Sequence, residues 1–500
     1  MSIPFKNRLA RVASVALGAL ALASVPARAT PDFTHVLDAN LLGLRVSNVG
    51  SFGFDAPIGQ SGLEFPRGSG KSALFAGGLW LGAKVAGETR VTLAEYSFEF
   101  GPGPLLGPFA PDRPEYHVYV VSAADTAGSA EWMANAAPLG APTTEDGLAP
   151  GVIGDKTLWC VYNDARASLH TNGGGGSPPL GVEVRQTAWA YHGSALRDHT
   201  AFLRFEIFNK GANTLDSAYV TLWADPDLGS AGDDNIASDP VLDMGYVYNN
   251  DDDDGVYGAA PPALGFVLMK GPTPTSSVSP LHVSVANMYI GGTDPDTTEQ
   301  SWRLIKGLKQ DGSPWINPLT SQTTPFVFTG DPVAGTGWLD PFVTDKRFLI
   351  SAGPFTMAPG DSQDIELAIV IGQGADRLES VSILHNYAAK LLELGGVDPP
   401  DPPPPPVPSN ELSLSAPIGV TLGPLLFGVT APSGEAWGLD VYDVAGRHVD
   451  RVANGTGDGF QGYEIWNLTT KTGKARPGVY YVTLHTDTQR ATKRVIVLHP

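Results

Sequence analysis

The chain has 500 residues, with 32 Lys and Arg against 52 Asp and Glu, so its formal net charge at pH 7 is -20. So acidic a chain is unsuited to nucleic acid or an anionic membrane, because counterion release requires clustered Lys and Arg. A single cysteine, Cys160, excludes an internal disulfide, and 59 Gly with 43 Pro predicts many turns between short strands.

The N-terminus reads as a secretory signal spanning residues 1–29. Lys6, Arg8 and Arg11 supply a positive start, Val12 to Val25 is an apolar run, and Ala27-Arg28-Ala29 matches an A-x-A cleavage site. Removing the leader leaves 28 basic against 52 acidic side chains, a charge of about -24. The run is too short for a membrane span, and no later stretch reaches about 18 uninterrupted apolar residues. No Cys follows it as in a lipoprotein. The expectation is a soluble exported protein, extracellular or on the outer cell surface, with the periplasm as the alternative.

Residues 30–396 form a mainly β body of sandwich-like, antiparallel type, with room for two lobes. Near its start, "LFAGGLWLGAKVAGETRVTLAEYSFEF" reads as a meander. "TLWCVYND" alternates as a strand around Cys160, which predicts a buried, inert thiol. In "TAFLRFEIFNK" Leu203, Phe205 and Ile207 share a face, and in "SAYVTLWADPD" Val220, Leu222 and Ala224 share one. With the turn "KGANT" between them, the two strands read as a β-hairpin. "RFLISAGPFTMAPGDSQDIELAIVIGQG" reads as another strand pair, turning at Pro359-Gly360-Asp361. No regular strand–helix alternation occurs, which argues against a doubly wound parallel sheet. One helix stands out: Leu378, Val381, Leu384, Ala388, Leu391 and Leu392 form a stripe at helical spacing, with Asp376 and Glu379 as a capping box and Gly395 as a stop.

Eight of the 14 residues in "VDPPDPPPPPVPSN", 397–410, are proline. Such a run favours polyproline II, which at about 3.1 Å per residue reaches roughly 40 Å. Beyond it, residues 411–500 carry seven strand candidates: "LSLSAP", "LLFGVTAP", "WGLDVYDV", "HVDRVA", "GYEIWNL", "GVYYVTLHT" and "TKRVIVLH". That density suits an immunoglobulin-like sandwich.

The chemistry-bearing stretch is acidic. Ten aspartates lie between Asp225 and Asp254, and no Lys or Arg lies between Lys210 and Lys270. Asp225 and Asp227 flank Pro226 at a strand end, so a period of two points both to one side. Asp233, Asp234, Asp239 and Asp243 follow on a Gly/Ser/Ala-rich loop. Asn250, Asp252, Asp254 and Gly255 copy the first half of a calcium loop, but the position of its closing Glu, 261, is Pro. A helix–loop–helix site is thus excluded, whereas a loop site recruiting Asp225 or Asp227 is not. Two unit charges about 4 Å apart repel by about 4 kcal/mol at an effective dielectric near 20. Oxygen-only ligands point to Ca²⁺ over Zn²⁺. The alternatives are a solvated acidic loop and a set of catalytic carboxylates.

Other motifs carry less. Gly70-Lys71-Ser72 suggests a phosphate loop, but Phe65 replaces its first glycine and a strand pattern follows where a helix is needed. No G-x-S-x-G, H-E-x-x-H or C-x-x-C occurs. His170 in a Gly-rich stretch reads as a solvated loop residue, and His192 with His199 as a strand turn. Asp331, Trp338 and Asp340 read as a structural turn around a buried Trp. A carbohydrate-binding module would need exposed aromatics, with Trp80, Trp189 and Trp338 as the ones to test.

The stretches "LDVYDVAGRHV", "GYEIWNLTTKTGKARPGVYYVTL" and "TKRVIVL" give residues 411–500 a resemblance to the immunoglobulin-like module of flagellar hook-capping proteins and to the C-terminal sorting domains of type IX secretion cargo. The usual "NPF"-like opening is replaced by "SAPIGVTLG", and "W-D-G" by Trp466-Asn467-Leu468. The body, through "NVGSFGF", "TLWCVYNDA", "WADPDLG", "YNNDDDDGVYGAAPPALGF" and "GDPVAGTGWLD", is similar to exported proteins that pair such a module with a β-rich body. The resemblance implies architecture and location; the expected partners are secretion or cell-surface machinery engaged through 411–500, and surface glycans. The expectation is therefore a structural or adhesive, calcium-stabilised, non-catalytic surface protein. The alternative is a secreted hydrolase of polysaccharide or protein with a C-terminal sorting domain.

Overall fold

The structure is a computed structural model. It describes residues 34–105, 113–171, 176–393, 411–416, 420–421, 425–457, 461–470 and 473–498, so the signal segment 1–29 and the proline-rich segment 397–410 lie outside the described residues. The chain divides into two compact units, Met1–Val397 and Asp398–Pro500.

The first unit is a sandwich of two antiparallel sheets. The ten-stranded sheet runs Val285–Ile290, Lys346–Met357, Leu215–Asp225, Ala76–Val85, Ser51–Phe52, Gly43–Ser47, Leu63–Glu64, Ser72–Leu74. Thr34–Leu37 adds to Gly43–Ser47, and Glu88–Leu93 adds to Ala76–Val85 as a true hairpin. The nine-stranded sheet runs Gly101–Pro102, Lys156–Asn163, Val182–Ala190, Thr200–Asn209, Ser362–Gly372, Ala263–Lys270, Met244–Asn249, Asp234–Asp239, with Tyr119–Val121 beside Lys156–Asn163.

Two expected hairpins are not hairpins. Thr200–Asn209 pairs with Val182–Ala190 and Ser362–Gly372, whereas Leu215–Asp225 pairs with Lys346–Met357 and Ala76–Val85 in the other sheet. Lys346–Met357 and Ser362–Gly372 are likewise split between sheets. Each connection arches over the core. These strands bury both faces, so each gains more between long neighbours within a sheet than from pairing locally.

Period-two alternation then sorts side chains into layers. Val220 and Leu222 join Leu79, Leu81 and Ile350 against Leu203, Phe205, Ile365 and Leu367 of the opposite sheet, forming the central core. Cys160 is buried in the same layer, its thiol pushed up by burial, as expected for an inert residue. The outer faces are also covered. Trp80, Trp223 and Leu349 of the ten-stranded sheet pack against Trp302, Leu304 and Ile305 from the helix Thr298–Ile305. That helix was not anticipated, although Thr297 and Gln300 form a capping pair at its start. On the nine-stranded sheet, the expected helix, Arg377–Glu393, buries Val381, Leu384, Ala388 and Leu391 against Phe202, Tyr246, Val267 and Val370. Asp376 caps it by accepting from the amides of Leu378 and Glu379 at 2.9 and 2.8 Å. Gly265 makes the close approach possible, since a Cβ there would meet Leu384 Cδ1 at 2.8 Å. Truncating Leu384 to Ala would cost about 2–5 kcal/mol.

The second unit is a smaller sandwich, and the seven strand candidates all appear in it. Ser413–Ser415, Leu425–Thr430 and Gln461–Trp466 form one sheet; Val420–Thr421, Arg490–Val497, Gly478–His485, Ala436–Asp443 and His448–Thr456 form the other. Phe427, Leu439, Val441, Trp466 and Val482 fill the space between them.

Candidate metal centre

Antiparallel register builds the principal acidic site. Ala224 pairs with Phe348 at the end of the ladder, so the next residues out, Asp225 and Asp227 on one chain segment and Arg347 and Asp345 on the other, emerge side by side at the mouth of the two strands. One carboxylate oxygen each from Asp225, Asp227 and Asp345 lies within 4.8 Å of the others. Asp225 is 2% exposed. Its Oδ1 lies 2.8 Å from Arg347 Nη1, and its Oδ2 accepts from the Tyr96 hydroxyl at 2.5 Å. Arg347 also pairs with Asp345 and lies 5.8 Å from the centre of the Tyr96 ring.

The electrostatics follow from that crowding. Burial first, and then Asp227, raise Asp225 to about 8 against the pull of Arg347. Asp227 is also raised, chiefly by burial. Tyr96 is raised by burial and by Asp225. Burial opposes the charge on Arg347, but Asp225, Tyr96 and Asp345 hold it protonated. With all three carboxyls ionised, the group and its one guanidinium would carry two negative charges, the complement of one divalent cation, and a bound ion would be what draws off the proton that burial favours on Asp225; an all-oxygen donor set suits Ca²⁺.

The remaining sequence-selected residues have other partners. Asp254 is buried and turns inward: Oδ1 accepts from the amides of Val256 and Tyr257 at 2.8 and 2.5 Å, and Oδ2 from that of Ser230 at 2.9 Å. Asp252 is exposed and pairs with Arg377 at 3.4 Å. Asn250 donates its amide to the Asp233 carbonyl at 2.7 Å. Asp239 caps a turn by accepting from Val241 and Leu242. Asp234 is buried, with Oδ2 accepting from Leu228 at 2.8 Å; burial drives it well above the usual carboxylate range. Asp233 is raised by burial and by Asp254. Among the described residues, Asp225, Asp227 and Asp345 alone bring three ligand atoms within reach of one ion.

The cations absent from the local sequence arrive from afar. Arg347 and Arg377 reach the segment as described, and Lys346, itself buried, sits 3.0 Å from Asp340 and donates to the Asp234 carbonyl at 2.7 Å. Asp345 and Arg347 were missed because nothing in the sequence fixes the register. The available signal was "TDKR", a charged cluster at the mouth of an apolar strand.

Other candidates resolve into structure. His170 is buried, contrary to the solvated-loop expectation. Its Nε2 lies 2.8 Å from the Asp164 carbonyl, while the Asp164 carboxylate gathers the amides of Leu180, Gly181 and Val182. His192 is exposed beside Asp155 at 2.7 Å, and His199 packs between Phe65 and Tyr387. Asp331 caps its own turn, and Trp338 packs on Phe328. Trp80, Trp189 and Trp338 are all buried, so none offers a sugar-stacking platform. Glu95 is a further buried carboxylate, raised to about 8 by burial, then by Asp294 and Glu99.

No helix among the described residues is long and apolar enough to cross a membrane. No protein-family model matches the sequence, and no curated protein matches it. Among solved structures, a polysaccharide lyase aligns with 63% of this chain at 11% identity and a TM-score of 0.20. The match spans 34% of the lyase and at that score carries no argument about fold or chemistry, so the chain is characterised here by its antiparallel β architecture alone.

Proposed function

We propose that this is a non-catalytic structural or adhesive protein of the cell exterior, whose β body is stabilised by Ca²⁺ bound at Asp225, Asp227 and Asp345. The observation that carries this reading is the convergence of three carboxyl groups on one point at the ends of two neighbouring strands. Residues 411–500 serve as the attachment or sorting module, a role supported by their resemblance to hook-capping and type IX modules. The test is calorimetry of the full chain with Ca²⁺ and with chelator. At about one hundred times Kd, the ion should stabilise the body by about 2.7 kcal/mol, and Asp345→Asn should abolish the shift. An unchanged melt would defeat the ion site.

A second reading, a secreted hydrolase acting on polysaccharide or protein, draws support from the raised carboxylates Asp225 and Glu95, since such shifts gather at catalytic sites. It requires turnover of a polysaccharide or protein substrate that Asp225→Asn eliminates.

A further inference from the structure

A groove of about 680 Å³ crosses the strands Thr34–Leu37, Gly43–Ser47, Leu63–Glu64 and Ser72–Leu74 at one end of the ten-stranded sheet. Its wall is the loop 65–71, the stretch that mimics a phosphate loop in sequence. We propose that this groove binds a saccharide chain carrying carboxylates, a polyuronate.

The lining has three features that together select this ligand class. First, it concentrates positive charge on an acidic protein: Arg45, Arg67 and Lys71 stand against Asp38 and Glu64. Second, the cations are unequally engaged. Arg45 is tied to Asp55 at 2.7 Å, and Arg67 donates to the Asn40 carbonyl at 2.9 Å and lies 3.7 Å from Asp38. Lys71 has no carboxylate partner among the described residues; its ammonium lies 5.3 Å from the Tyr257 ring centre. It is the groove's available point charge for a ligand anion. Third, the remaining polar groups both donate and accept. Gln60 does so by its chemistry; Ser61 and Ser72 donate inward to the Leu74 and Asp227 carbonyls and keep lone pairs for a ligand, and Glu64, which takes the Gly70 amide on one oxygen, and Asp38, which pairs with Lys156 and Arg67, add acceptors at their remaining lone pairs. Two carboxylates in the lining repel a dense polyanion such as polyphosphate, yet they accept from sugar hydroxyls. Spaced carboxylates between hydroxyls satisfy both halves of the lining. The groove is open to solvent, so it suits the interior of a chain as well as its end.

This site is independent of the ion reading, and the test is arranged to keep the two apart. The full-length protein is run, in the presence of chelator, through native gels containing polygalacturonate, dextran or polyphosphate. Its charge of -20 repels any polyanion in bulk, so retardation reports a local site. Polygalacturonate should retard the protein in proportion to its concentration. Lys71→Ala should weaken this about tenfold, the worth of one charge-assisted hydrogen bond, and Lys71→Glu should abolish it. Lys71→Arg should preserve it. Lys71 is not buried, so an unchanged melting temperature is expected for each variant and shows that the fold is intact. The proposal is overturned by no retardation with polygalacturonate, by equal retardation with dextran or polyphosphate, or by binding that ignores Lys71.

Discussion

Asp225 in the large sandwich and Asp440 in the small one have side chains equally hidden, each 2% exposed, yet they behave oppositely. Asp440 receives both Nε and Nη2 of Arg451 at 2.8 Å, with Nε2 of His448 at 2.9 Å and of His485 at 2.8 Å. Burial works to raise it, but these hydrogen bonds outweigh burial and hold it well below the usual carboxylate range. Asp225 shares a single guanidinium with two further carboxylates and rises to about 8. Burial opposes ionisation in both, more strongly for Asp225, which lies deeper in its sandwich. Depth together with the local balance of donors and carboxylates sets the sign. A lid of half-exposed cationic and imidazole side chains makes one aspartate a fastening, and a ring of acids makes the other a liability unless a cation joins it.

The strongest way to break this comparison is pH. Asp225 has a folded value near 8 and an unfolded value near 4, so the folded state holds its proton more tightly. Its contribution is fully present below about pH 4 and lost as pH rises towards 8, at up to about 1.4 kcal/mol per pH unit. In chelator, calorimetry should therefore show the body's transition more stable at pH 5 than at pH 8. Asp440 has the opposite sign: its contribution is present above about pH 4 and lost below it, so the second transition should weaken only in acid.

Asp440→Ala should cost the small unit about 2 kcal/mol, a fall on the order of 10 °C in its transition. The loss is less than for a deep ion pair because His448, Arg451 and His485 are 33, 53 and 29% exposed and can rehydrate. Asp225→Asn sharpens the contrast. In chelator it should change the body's stability by under about 1 kcal/mol, since the native carboxyl already keeps its proton. With Ca²⁺ it should forfeit the ion's stabilisation. At the small end, Arg377→Ala removes a partly exposed pair with Asp252 and should change the unfolding free energy measured in urea by no more than about 0.5 kcal/mol.

What the sequence made legible was local. Alternation located the seven strands of the small unit, and helical spacing located Arg377–Glu393, because both signals lie within a few residues of each other. The helix Thr298–Ile305 was readable from Thr297 and Gln300 but is only eight residues long, with little room for a periodic stripe. "KGANT" signalled a turn correctly, but the same turn serves a hairpin and an arch between sheets. Pairing depends on partners more than a hundred residues away. The acidic site failed to be legible for the same reason: Asp225 and Asp227 were found by their own spacing, while Asp345 and Arg347 belong to the site only through register.

The late strands carry a consequence for biosynthesis. Lys346–Met357 lies between Val285–Ile290 and Leu215–Asp225, and Ser362–Gly372 lies between Thr200–Asn209 and Ala263–Lys270. A ribosome delivering the chain from its N-terminus leaves a gap inside the nine-stranded sheet, and another beside the edge strand Val285–Ile290 of the ten-stranded sheet, until residues 346–372 emerge. Neither sheet can be completed before then, although earlier neighbours such as Lys156–Asn163, Val182–Ala190 and Thr200–Asn209 can already pair. The two-sheet body is therefore closed by residues 346–372, with the strands of the second unit still to come.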